Sequence, residues 1–131
     1  LENARVLAKT LLAQGFGVVS GGTDSHIVLL DLTAKNLTGK DSEKALERAG
    51  MTCNKNAVPF DPKPPMVTSG VRLGSPAATS RGFGQQEFKQ IGEWIGQALE
   101  GLRQNPEGNP GIEQRVRGEV KALCQKFPMY S

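Results

Sequence analysis

FGVVSGG (Phe16–Gly22) and HIVLLDL (His26–Leu32) are two short runs rich in Val, Ile and Leu, divided by a turn-like TDS. Apolar runs of this length, bounded by Gly, Ser and Asp, read as strands. Aliphatic residues at this density suit strands covered on both faces, or a sheet packed by helices. Upstream, LENARVLAKTLLAQG sets Ala4, Leu7, Ala8, Leu11 and Leu12 on one face at helical spacing, with Gly15 as a left-handed stop. Nothing in Leu1–Ala4 resembles an N-cap, so the sequence reads as opening inside a helix, a fragment of a longer chain.

Downstream, TGKDSEKALERAG reads as a second helix. Thr38 with Asp41 three positions on approximates a capping box, and Gly50 supplies the end. MTCNKN leads as a strand into the proline-rich loop VPFDPKPP. GVRLG (Gly70–Gly74) is a further short strand, whose period of two puts Val71 and Leu73 on one face and Arg72 on the other. RGFGQQEFKQIGEWIGQALEGLRQ is the longest helical pattern, with Phe88, Ile91, Ile95, Leu99 and Leu102 in one stripe. NPEGNPG breaks it, and Asn109 and Pro110 fit N-cap and N1 of a last helix. That helix carries Ile112, Val116, Val120, Leu123 and Phe127 as its buried stripe, with Cys124 beside it as a small core residue. The expected fold class is α+β, a small sheet of short strands packed by helices.

At 131 residues the chain suits one domain with a single core. Its 37% hydrophobic and 22% charged content is that of a folded protein and not a disordered one. The net charge of +3 is spread among acids, as in KDSEKALER, and forms no basic stripe. This argues against binding nucleic acid or a membrane surface. Cys53 and Cys124 make no C-x-x-C pair and the single histidine builds no metal cluster, so reduced thiols in a cytoplasmic protein are expected. NLT at Asn36–Thr38 matches a glycosylation acceptor, which carries meaning only after secretion. No apolar run nears the ~18 residues of a membrane span, and the start has no signal-peptide pattern.

Three motifs invite chemistry. Asp24, Ser25 and His26 bring the residue types of a hydrolytic triad together, but adjacent positions in a turn cannot converge on one proton path. A turn whose Asp and Ser bond local backbone is the simpler reading. TGKDS fails as a phosphate loop, because position 34 is Ala and position 41 is Asp. CNKNAVPFDPKPP carries four prolines and the amides of Asn54 and Asn56, which predicts a stiff, extended loop with polar groups along it. Arg72 is the strongest single candidate. Its planar fork suits a carboxylate bidentately, and Ser69, Gly70, Gly74 and Ser75 leave room beside it. An internal ion pair with Asp24, Asp31 or Asp61 is the competing reading.

VVSGGTDSHIVLLDL, NLTGKDSEKALERAGMTCNKNAVPFDP, VTSGVRLGSPAATSRGF and ALCQKFPMYS together resemble the serine hydroxymethyltransferase family, in order and spacing along essentially the whole chain. The resemblance implies that residues 1–131 are the C-terminal (small) domain of a fold-type I pyridoxal 5'-phosphate enzyme, itself of an α/β family. Such an enzyme interconverts serine plus tetrahydrofolate with glycine plus methylene-tetrahydrofolate. It further implies that Arg72 binds the substrate α-carboxylate and orients the amino acid against the cofactor. Asn56 matches the position that contacts the pteridine of the folate. Pro64, Pro65 and Met66 match part of the folate-site wall, where the family commonly has Ser-Pro-Phe.

The family's cofactor lysine lies in a Thr-rich HKT segment that none of the chain's nine lysines matches. The cofactor-binding domain is therefore expected outside these residues, and the chain alone is expected to be inactive. An exposed apolar patch is expected where the first helix and the sheet would meet that domain. The resemblance also implies a homodimeric or homotetrameric parent in the cytoplasm. The alternative is a free-standing small binding or scaffold domain without catalysis. The reading frame upstream of Leu1 distinguishes the two.

Overall fold

A computed structural model describes residues 2–19, 27–51, 53–74 and 84–126. In chain order these form α1 (Glu2–Ala13), β1 (Gly17–Val19), β2 (Ile27–Asp31), a 3-10 turn (Thr33–Lys35) and α2 (Gly39–Arg48). There follow β3 (Asn54–Asn56), β4 (Gly70–Gly74), α3 (Gln85–Gln104) and α4 (Pro110–Lys126). The strands make one antiparallel sheet in the order β1-β2-β4-β3. The architecture is the α+β one that the strand and helix patterns predict.

Alternation settles which face of the sheet is buried. Val28 and Leu30 on β2, and Val71 and Leu73 on β4, point into the core, with Leu32 just beyond β2. Among the described residues the helices pack on that face, so the aliphatic density of β2 is that of a helix-packed sheet. From α1, Leu7, Ala8 and Leu11 join the core, whereas Leu12 is 54% exposed. It lies at the edge of a stripe narrower than the sequence pattern suggests. Phe88, Ile95, Leu99 and Leu102 of α3 are buried and Ile91 is partly so. Each fully buried large aliphatic or aromatic side chain stabilises by about 1.5–3 kcal/mol.

The helix ends follow the sequence signals. Thr38 caps α2 by accepting from the Asp41 N–H at 3.2 Å, and Gly15 and Gly50 take φ of 89° and 86°. The packing of α1 on α3 needs small residues. A Cβ on Gly92 would meet Thr10, and one on Gly96 would meet Gln14. The Gln14 amide donates to the Gly92 carbonyl at 2.9 Å.

Helix α4 is fixed differently. Its apolar stripe is thin: Val116 is buried, while Ile112, Val120, Leu123 and Cys124 are only partly covered. Phe127 lies outside the described residues. Polar contacts supplement the stripe. Arg48 of α2 grips Glu113 bidentately at 2.8 and 3.0 Å, and Trp94 donates to Glu119 at 2.7 Å. Glu113 is buried although charged. The Arg48 guanidinium holds its carboxyl below the usual carboxylate range against the opposing effect of burial.

Replacing Glu113 by Ala is expected to cost about 1–3 kcal/mol of folding stability. The loss stays below that of a fully buried pair because Arg48 can rehydrate when orphaned. Glu100→Ala, which breaks the exposed Arg103–Glu100 pair, should cost at most about 1 kcal/mol. Denaturant midpoints of the two variants provide the check.

Candidate functional site

The face of the sheet away from the core carries two cross-strand rows. Val19, Leu29, Arg72 and Asn54 oppose one another across all four strands, and Gly17, Asp31, Gly70 and Asn56 form the next row. Directly opposed residues share a face, and those two apart lie diagonally within reach of long side chains. The ladder therefore sets Arg72 beside Asn54, with Asn56 and Asp31 on its diagonals. Gly70 adds no side chain between them. A Cβ there would strike the Leu30 and Asn56 carbonyls and Val58, so the strands close tightly only around glycine.

Arg72 is exposed on this face. Among the described residues no carboxylate pairs with it. Asp31 accepts from the Thr33 N–H at 3.0 Å, and Asp61 is taken up by other donors. Asp24, the third possible partner, lies outside the described residues, as do Ser25, His26 and Ser75.

Asn56 is half-buried at the end of the edge strand β3, and its amide donates to the Ala57 carbonyl at 2.8 Å. The outer edge of β3 is itself capped, because the Lys55 N–H donates to Glu43 of α2 at 2.7 Å.

The loop from 57 to 69 turns on one carboxylate, Asp61, which the sequence marks only as a possible ion-pair partner of Arg72. Asp61 Oδ2 accepts from the N–H groups of Val58 at 3.2 Å and Ser69 at 2.7 Å. Its Oδ1 accepts from the Lys63 N–H at 2.9 Å and the Ser69 hydroxyl at 2.8 Å. Two non-glycine residues in this loop are left-handed, Phe60 at φ 57° and Thr68 at φ 59°. Such positions cost about 1–3 kcal/mol each and persist only where surrounding bonds over-determine them.

The start of α2 adds two of those bonds, from the Gly39 N–H to the Thr68 carbonyl and from the Lys40 N–H to the Val67 carbonyl, at 3.1 and 3.0 Å. Helix N-terminal donors that would otherwise be orphaned thus hold the loop. Pro64, Pro65 and Met66 stand exposed on it, with Met66 at 74% and Phe60 fully in solvent.

Partial burial alone would raise the Asp61 carboxyl, but the bonds from Lys63, Ser69 and Val58 outweigh it and hold the pKa at about 2. Cys53 goes the other way. Burial, then Glu43 and Glu47, push its thiol up to about 12, which leaves it protonated and a poor nucleophile. None of the nine lysines is buried, so no described amine sits in the desolvated setting that suits covalent attachment of a carbonyl cofactor. What the face does offer is a solvent-directed guanidinium with amides beside it, next to an apolar loop. Such a fork can grip a carboxylate with both arms.

A family model described as serine hydroxymethyltransferase matches residues 1–95, a span that contains Arg72, Asn56 and the whole loop. Curated relatives that carry that name include one from Paramagnetospirillum magneticum, 61% identical over 130 residues, one from Rhodospirillum centenum, 62% identical over 130 residues, and serine hydroxymethyltransferase 3 of Colwellia psychrerythraea, 58% identical over 131 residues. The alignments cover 99–100% of this chain and 30% of each relative. The chain thus spans about 30% of the length of the curated relatives it matches.

The Asp61 hub predicts an acid response of defined sign. Its folded pKa of about 2 lies below the ordinary carboxyl value of 3.8. The stabilisation it brings is therefore fully present above about pH 3.8 and is lost as pH falls through about 2. Amide protection at Val58, Lys63 and Ser69 should fall in that window in hydrogen exchange, and Asp61→Asn should abolish this part of the pH dependence.

Proposed function

This chain belongs to the serine hydroxymethyltransferase family, and on that premise we propose that it supplies the carboxylate-binding part of an enzyme that moves a hydroxymethyl group between serine and tetrahydrofolate. Arg72 binds the α-carboxylate of serine or glycine through both arms of its fork. Asn56 contacts the pteridine of the folate, and Pro64, Pro65 and Met66 wall its site. The observation that carries the reading is the exposed Arg72 guanidinium, set by the strand ladder beside Asn54 and near Asn56, with no carboxylate partner among the described residues. Holding the carboxylate fixes the amino acid's orientation, and orientation of this kind can lower a barrier by several kcal/mol, up to about 7–11 in well-aligned systems.

Pyridoxal 5'-phosphate is the cofactor that family membership implies. The residues described here do not fit it, since every lysine is exposed or half-exposed, and no step is assigned to it on this chain. The cofactor and the second wall of the amino-acid site would come from the remaining part of the protein. Assembly of the whole enzyme as a homodimer or homotetramer and a cytoplasmic location belong to the same proposal. Among the described residues no helix is long and apolar enough to cross a membrane. The reading as a free-standing scaffold domain has no observation in its favour.

In the full-length protein, Arg72→Lys should weaken glycine and serine binding by about 100-fold, because a point charge replaces a bidentate fork. Serine kcat/KM should fall by at least as much. A glycine dissociation constant equal to that of the unaltered protein would refute the assigned role.

A further inference from the structure

Loop 57–69 does not owe its shape to regular structure. It leaves a three-residue edge strand, contains two left-handed non-glycine residues and rejoins the sheet at Gly70. The four bonds to Asp61 connect its separate parts. Oδ2 joins Val58, two residues past Asn56, to Ser69, three residues before Arg72. Oδ1 joins the backbone just ahead of Pro64 to the Ser69 hydroxyl. We propose that Asp61 is a positioning residue for the folate site: by gathering these four donors it sets where Asn56 and Pro64–Met66 stand relative to Arg72. The inference rests on the folate reading of this loop given above.

The two ligand positions should depend on Asp61 unequally. Arg72 lies on a strand paired on both sides, opposite Leu29 and Asn54, so the ladder holds it without help from the loop. Pro64–Met66 has no ladder. It is held by the Asp61 bonds, by a turn in which the Pro64 carbonyl accepts from the Val67 and Thr68 N–H groups at 2.9 and 3.0 Å, and by the two donors of the α2 N-terminus, which reach only Val67 and Thr68. Asn at position 61 has nearly the shape of Asp, but its NH2 group would face two donors where an oxygen now accepts. The substitution therefore loosens the Pro64–Met66 wall without leaving a cavity.

The test uses the full-length, cofactor-loaded protein with Asp61→Asn, Ser69→Ala and Asn56→Ala. The readouts are the KM for tetrahydrofolate and the dissociation constant of glycine without folate. Asp61→Asn is expected to raise the tetrahydrofolate KM about tenfold and Ser69→Ala about threefold, with glycine binding within about twofold of the unaltered protein. A merely structural role would lower the melting temperature and the active fraction while leaving the KM of the folded molecules unchanged. That result overturns the inference. If Asp61→Asn does not fold, Ser69→Ala, which retains its N–H bond to Oδ2, decides alone. If Asn56→Ala raises the KM but the Asp61 and Ser69 variants do not, only the positioning role fails. If none of the three moves it, the folate reading fails and the inference falls with it.

Discussion

A carboxylate surrounded by four donors stays ionised without a cationic partner, and Asp61, which has none among the described residues, is such a carboxylate. Hydrogen bonds to an ionised acceptor are roughly twice as strong as neutral ones. Three of the four donors are backbone N–H groups, which would otherwise be left unsatisfied in a partly buried loop. The strained backbone at Phe60 and Thr68 is tolerable because these bonds close around it. This closure acts together with the turn at Pro64, whose carbonyl accepts from the Val67 and Thr68 N–H groups, to hold the loop's exposed prolines and Met66.

Helix α2 links that loop to the rest of the core. Its first N–H groups hold Val67 and Thr68, Glu43 caps the outer edge of β3, and Arg48 near its far end grips Glu113 of α4. The close approach at its N-terminus requires glycine at position 39, where a Cβ would run into the Thr68 hydroxyl and the Gly70 carbonyl. A short helix of low apolar content can serve as this spine because its stability comes from tertiary bonds at both ends and from Ala45 and Leu46 beneath.

Local pattern made much of this legible. Alternation in GVRLG places Arg72 opposite Val71 and Leu73, and the structure has the same arrangement. Thr38, Gly15 and Gly50 mark helix ends because capping chemistry is a property of a few adjacent residues. The strand order β1-β2-β4-β3 was not legible, since it joins segments about forty residues apart through pairings that no short window contains. The role of Glu113 is not legible for the same reason: its partner Arg48 sits on another helix, and the only local sign is an acid within an otherwise thin apolar stripe. Asp61 had a readable sign, an Asp after Pro-Phe in a loop, which marks local backbone bonding. The Ser69 end of its network is eight residues away and could not be read.

The solvent exposure of Arg72 bears on how the proposed grip would work. A hydrated guanidinium on an open sheet face gains only about 0–1 kcal/mol from an exposed anion, because water competes for both partners. The same fork in a dry site gains several times that, provided the carboxylate meets both arms. Among the described residues the face around Arg72 has one wall, the sheet itself, with Leu29 and Asn54 as neighbours. Strong selection for an amino acid over other small anions therefore requires a second wall that excludes water. The chain spans about 30% of its relatives' length, and in the proposed reading the remainder of the enzyme provides that wall. In the proposed reading Arg72 is pre-placed but weak until that wall closes over it, so affinity for substrate and closure of the whole enzyme are one event.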